Sequence, residues 1–242
     1  MCAASSSITQ PWCPPPATPA SVGTHDGWCD GPRFSTKRSP SGPSGARTSV
    51  GGLPATCGGI TAEVWEAWPA PPLPYLVSHR DNGSSPDHCA KSPQYRWQES
   101  WSAAEFISNI ERFAPLQNVA LPAGKLGNLE DGAWRSRSHS GRVGQLEVRT
   151  SAGSVLIPAY SIRQVLRRGG QPDAILRSNL FKIDVRRDPV TRKAIQVVAN
   201  GAGSGHGVGL CQTGALGMSR AGQTGEEILR HYYPGAKLEN LY

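Results

Sequence analysis

Val143-Gly-Gln-Leu-Glu-Val-Arg-Thr150 leads into Ser151-Ala-Gly153 and then into Ser154-Val-Leu-Ile-Pro-Ala-Tyr160. Val143, Leu146 and Val148 recur on an alternating pattern, the signature of a half-buried strand. Ser151-Ala-Gly153 carries turn chemistry, so Ser154 to Tyr160 reads as the return strand of a β-hairpin. The pattern repeats downstream. Phe181, Ile183 and Val185 alternate, Asp188-Pro189 is a turn pair, and Ala194 to Ala199 closes a second hairpin. Strands grouped as hairpins pair antiparallel.

Helices fill the intervals. Ser102-Ala-Ala-Glu105 has capping-box spacing and opens a helix with Phe106, Ile107, Ile110 and Phe113 on one face. Ser161 is expected to cap a short helix with Ile162, Val165 and Leu166. Thr224-Gly-Glu-Glu227 is a second capping box, followed by Ile228, Leu229, Tyr232 and Tyr233, and Pro234-Gly235 stops that helix. The order is helix, hairpin, short helix, hairpin, Gly-rich loop and two helices. The expected class is α+β, with antiparallel hairpins, short helices and a glycine loop before the C-terminal helices.

The chain divides near residue 55. Residues 1–54 are rich in Pro, Ser, Gly and Thr, and their large aliphatics are few: Ile8, Val22, Val50 and Leu53. Such a segment cannot bury enough apolar surface to offset its ordering entropy and reads as disordered. Residues 55–242 read as the folded domain. Across all 242 residues the apolar share is 38%, with 28 Gly and 21 Pro, which excludes a helical bundle or coiled coil. No stretch approaches 18 consecutive apolar residues, so no transmembrane helix is expected. The N-terminus, MCAASSSITQPWCPPP, does not read as a signal peptide.

A net charge of +7 and a pI near 9.3 favour an anionic partner without choosing one. No RNP-like aromatic motif or C2H2 spacing accompanies the charge, so nucleic acid is not expected. The six cysteines lie at 2, 13, 29, 57, 89 and 211 with no Cys-x-x-Cys, and His25 with Cys29 is too thin for a metal pair. No metal site and no cofactor is read. Cys57 and Cys89 are either a disulfide, in an exported protein, or two buried thiols.

Gly201-Ala-Gly-Ser-Gly-His206-Gly-Val-Gly-Leu-Cys211-Gln212-Thr-Gly214-Ala215 follows a strand and feeds a helix N-terminus. Such a loop lets backbone approach a ligand. It satisfies neither G-x-G-x-x-G nor G-K-[ST], so nucleotide folds are not supported. His206 is either a polar ligand contact or a histidine bonded to its own backbone.

Gly203 to Gly222 of this loop, with Glu227-Ile-Leu-Arg-His-Tyr-Tyr-Pro-Gly235, resembles the C-terminal signature of the SpoIID/LytB family, that of stage II sporulation protein D and amidase enhancers. Further pieces match in order. They are Cys57-Gly-Gly-Ile-Thr61 with Val64-Trp65, Pro74-Tyr75-Leu76, Cys89-Ala-Lys-Ser-Pro93 with Trp97, Ser140-Gly-Arg-Val143, Ser161-Ile-Arg163 and Leu176 to Phe181. The resemblance runs from about Ala55 to Tyr242. It implies an exported protein of the bacterial cell envelope working on peptidoglycan glycan strands, with a cell-wall amidase as a further partner. Family members of known activity are lytic transglycosylases of stripped strands. One carboxylic acid protonates the glycosidic oxygen and then takes the proton of the muramoyl 6-hydroxyl, which closes an anhydro ring. His206, Gly207, Gln212, Ser140 and Arg142 are the expected substrate-binding residues.

The family places its catalytic Glu in an N-terminal helix, and residues 1–54 contain no Glu. The chain therefore resembles the family domain without its catalytic segment and is expected to be inactive alone. Glu63 and Glu66, beside Trp65 and Trp68, are the nearest substitutes. Both are expected to be exposed loop carboxylates. The alternative to an enzyme is a non-catalytic wall-glycan or amidase-partner module.

Overall fold

Each hairpin recruits one more strand. The computed structural model describes residues 56–82, 86–122 and 124–239. The elements run β1 (Arg96–Ser102), α1 (Ala103–Phe113), β2 (Leu129–Arg137), β3 (Val143–Thr150), β4 (Gly153–Pro158), α2 (Ala159–Leu166), β5 (Phe181–Arg187), β6 (Ala194–Ala202), α3 (Gln212–Arg220) and α4 (Gly225–Tyr232). One sheet has the order β2-β3-β4 and the other β1-β6-β5, all antiparallel. The α+β reading holds. The disorder expected of residues 1–54 lies outside the described residues.

The apolar positions read from sequence are largely the buried ones, although Glu147 in β3 and Val198 in β6 are also buried between them. Leu146, Val148, Val155, Ile157, Phe181, Ile183, Val197 and Ala199 point into one core with Trp101, Phe106, Ile110, Ile162 and Leu166. Burying each large side chain contributes about 1.5–3 kcal/mol. The α1 face is the expected one, with Phe106, Ile107, Ile110 and Phe113 buried. Two smaller clusters flank this core. One gathers Cys57, Cys89, Cys211, Met218, Ile228 and Tyr232, and the other Ala62, Val64 and Val208.

Two capping expectations need correction. Ser102 accepts from the Glu105 amide as expected, but the Glu105 carboxylate accepts from the Gly170 amide at 2.7 Å. Ser161 does not cap α2. That helix starts three residues earlier, with extended Pro158 at its N-cap, and Ser161 is buried inside it. At α4 the Thr224–Glu227 box forms in both directions. Among the described residues, no helix is long and apolar enough to cross a membrane.

Candidate functional site

Val64–Glu66 forms one turn of 3-10 helix because Val64 packs inward on Ala62 and Val208 while Glu66 folds back on the chain. The Glu63 amide donates to Glu66 Oε1 at 2.9 Å, and Trp65 Nε1 donates to Glu63 Oε2 at 2.6 Å. Trp65 and Trp68 are left at the surface. Glu66 is only 2% exposed, so the exposed loop carboxylate expected from sequence is wrong at this position. Its Oε2 accepts from Ser138 Oγ at 2.6 Å and from Ser140 Oγ at 2.5 Å. The tight turn at Ser138 to Gly141 supplies both hydroxyls.

Arg142, next to that turn, is 2% exposed. Its guanidinium donates to the carbonyls of Cys57 (2.9 Å), Ile60 (3.1 Å) and Thr61 (3.3 Å). Burial lowers its pKa, and Glu66 opposes that shift by favouring the cation. Gly207 faces it at φ +82°, and a Cβ there would stand 2.3 Å from Nη2. Gly207 therefore makes room for Arg142, a steric role.

His206 sits at the mouth. Its Nδ1 accepts from the Val208 amide at 3.1 Å, which leaves the proton of the neutral ring on Nε2. The ring lies 4.9 Å from that of Trp68. Desolvation first, then Arg163 and Arg142, hold the imidazole below its ordinary range. His206 is thus bonded to its own loop through Nδ1, and the residue is exposed.

Glu66, Trp68, Tyr160, Arg163, Asn179 and His206 line a common cavity of about 110 Å³. At about 30 Å³ per water, it holds three or four waters, or one substituent of a sugar. Arg163 donates to the Leu176 carbonyl at 2.8 Å and is pushed down to about 10, first by burial and then by Arg142, so it stays a cation at neutral pH. Asn179 donates to the Ala159 carbonyl at 2.6 Å, while its buried Oδ1 has no protein partner. An acceptor buried without a partner is costly, and Asn179 is among the residues that line the cavity. Trp68 and Tyr160 are 43% and 40% exposed at the rim. A larger, more open depression of about 600 Å³ lies between the start of α1, β2 and the β5–β6 turn. The smaller cavity is preferred on chemistry, since acid, cation, orphaned acceptor and aromatic rim converge there.

Ser140, Arg142, His206 and Gly207 lie near Glu66, and of these four His206 lines the cavity. Gln212 does not; it opens α3 on an exposed face outside the cavity lining. Asn179, Arg163 and Tyr160 were not picked as ligand residues, although two of them stand in motif stretches. Cys57 and Cys89 come together as expected but unbonded, with sulfurs 3.6 Å apart, and Cys211 joins them. Side-chain hydrogen bonds from Cys57 and then Cys89 hold the Cys211 thiol below its ordinary range, while its acceptance raises both partners.

A family model described as a domain of unknown function, DUF8618, matches residues 87–209, half of the chain. The chain belongs to the DUF8618 family. The matched part of this DUF8618 protein holds both sheets, Ser140, Arg142, Arg163, Asn179 and His206. Stage II sporulation protein D of Bacillus subtilis is 27% identical over 76% of the chain and 43% of that protein. The amidase enhancer of Bacillus subtilis is 24% identical over 75% of the chain and 28% of that protein. An uncharacterised protein of Brachyspira hyodysenteriae is 48% identical over 17% of the chain and 11% of that protein. The chain spans less than half the length of these curated relatives.

Proposed function

We propose that the chain is a cell-wall protein that binds peptidoglycan glycan strands at the Glu66–His206 cavity without cleaving them. The observation that carries the reading is the cavity itself: a buried unpartnered acceptor at Asn179 and a cation at Arg163 beneath exposed Trp68 and Tyr160. Sugar rings stack on aromatic faces. The lactyl carboxylate bared on stripped muramic acid pairs with Arg163. The names of the two Bacillus relatives support a cell-wall role.

Glu66 argues for binding over cleavage. A general acid must present a proton to the glycosidic oxygen. Both Glu66 oxygens already accept, from two serine hydroxyls and one amide. The carboxylate therefore acts as an anchor for the cavity wall.

The test is binding of the purified chain to peptide-stripped glycan strands, with soluble products read by mass. Binding without anhydro-sugar release is expected. Trp68→Ala and His206→Ala should each weaken binding about tenfold, equivalent to about 1.4 kcal/mol, with Tm nearly unchanged. No binding to the strands would sink the reading. Release of anhydro products that Glu66→Gln abolishes would replace it with a transglycosylase whose acid is Glu66.

A further inference from the structure

Away from the cavity, the small cluster that gathers Cys57, Cys89 and Cys211 holds, with Asp81, a set of ligating atoms that glycan binding does not use. Cys57, Asp81, Cys89 and Cys211 are all buried, and one ligand atom of each lies within 4.8 Å of every other. We propose that these four side chains form a structural zinc site.

The geometry is that of a tetrahedral shell. Zinc–sulfur bonds of about 2.3 Å at tetrahedral angles put two sulfurs about 3.7–3.8 Å apart. The Cys57 and Cys89 sulfurs are 3.6 Å apart. A disulfide requires about 2.05 Å. Three thiolates and one carboxylate oxygen are a soft, closed set, which suits Zn²⁺ over the oxygen-seeking Mg²⁺ or Ca²⁺ and leaves no position for a catalytic water.

The surrounding groups orient the ligands as an outer shell does. The Cys57 amide donates to Cys211 Sγ at 3.2 Å, and the Gly214 amide, in the first turn of α3, donates to the same sulfur at 3.4 Å. Asp81 is fixed at both oxygens, Oδ2 by the Cys89 amide at 2.8 Å and Oδ1 by Tyr232 Oη at 2.6 Å, and each oxygen keeps a lone pair. A Cβ at Gly214 would stand 2.0 Å from Tyr232 Oη and 2.5 Å from Asp81 Oδ1, so the glycine there keeps the site's packing possible. Three thiolates and a carboxylate around a divalent ion leave a net charge of −2. Arg142, bonded to the Cys57 carbonyl, supplies a buried counter-charge. Zinc here joins three chain segments, residues 57, 81–89 and 211, and through Tyr232 the last helix.

The site is tested on the whole chain, reduced, stripped with chelator and titrated with Zn²⁺ alone against a chromophoric competitor. One ion per chain is expected, with a rise in Tm. Co²⁺ alone should give the near-ultraviolet sulfur-to-metal band and the visible bands of a tetrahedral thiolate site. Cys211→Ser should lower zinc affinity more than about 100-fold, beyond the 10–100-fold typical of an outer-shell change. Because that variant can fail to fold, the cobalt spectrum of the unaltered chain decides independently. Substoichiometric zinc, cobalt without the sulfur band, or a Cys57–Cys89 disulfide in protein isolated in the presence of zinc would each overturn the site.

Discussion

His206 shows how a single residue couples the glycine loop to pH. Its ordinary value is 6.5, and in the folded chain desolvation and the cations Arg163 and Arg142 depress it. As pH falls through 6.5 the unfolded chain takes the proton first, so the folded state loses stability from there down to the depressed value. Above 6.5 neither state is protonated and nothing is lost. The ring is open to water on one side, so the effect is modest. Melting temperatures taken above and below pH 6.5 should therefore fall less in His206→Gln than in the unaltered chain. An equal or larger fall in the variant would contradict this account. The same residue explains why sequence alone could not choose between a ligand contact and a structural histidine. Spacing places the ring on the loop, but only the fold brings Arg163 and Trp68 to it.

Among the elements, legibility followed the alternation of apolar residues. The hairpins β3–β4 and β5–β6 were readable because their inward positions are Val, Leu, Ile and Phe. The strand β1, Arg-Trp-Gln-Glu-Ser-Trp-Ser, was not, because one of its three inward positions is Glu99 between Trp97 and Trp101. Glu99 Oε1 accepts from Arg168 Nε at 2.9 Å and from Arg177 Nε at 3.0 Å. Local sequence gives no sign of partners 69 and 78 residues away. The strand β2 was hidden differently. It is polar with Leu129 alone of its residues buried, and its pairing with β3 slips three times. Cys211 as a third member beside Cys57 and Cys89 was hidden for the same reason as Glu99, since 154 residues separate it from Cys57. The buried acid gives β1 its own prediction. Glu99→Ala leaves two guanidinium groups, each about one-fifth exposed, facing a cavity. The loss should be about 3 kcal/mol by denaturant titration, near the lower end for breaking a buried pair because both arginines touch water. A loss under about 1 kcal/mol would mean that Arg168 and Arg177 find other acceptors.

At the scale of the whole molecule, segment 57–66 is not part of either sheet, yet it carries the carboxylate of the cavity and a sulfur of the cluster. Arg142 and Glu66 hold it to the body. Arg142 reaches across to three carbonyls of residues 57, 60 and 61, while Glu66 reaches back to Ser138 and Ser140 beside Arg142. The two charges are buried in one region, and Glu66 favours the Arg142 cation. Replacing one partner strands the other charge away from water. Arg142→Met should therefore cost about 3–5 kcal/mol, and the loss should come with weaker glycan binding because the cavity wall is released. Glu66→Gln keeps the shape but removes the charge. The two changes touch one network, so their costs should not add. The double variant is expected to be more stable than the sum of the single losses by about 1–3 kcal/mol, since it leaves neither charge alone. Denaturant midpoints of the four chains measure this. Strict additivity would mean that the backbone carbonyls alone hold Arg142 and that Glu66 answers only to the two serines.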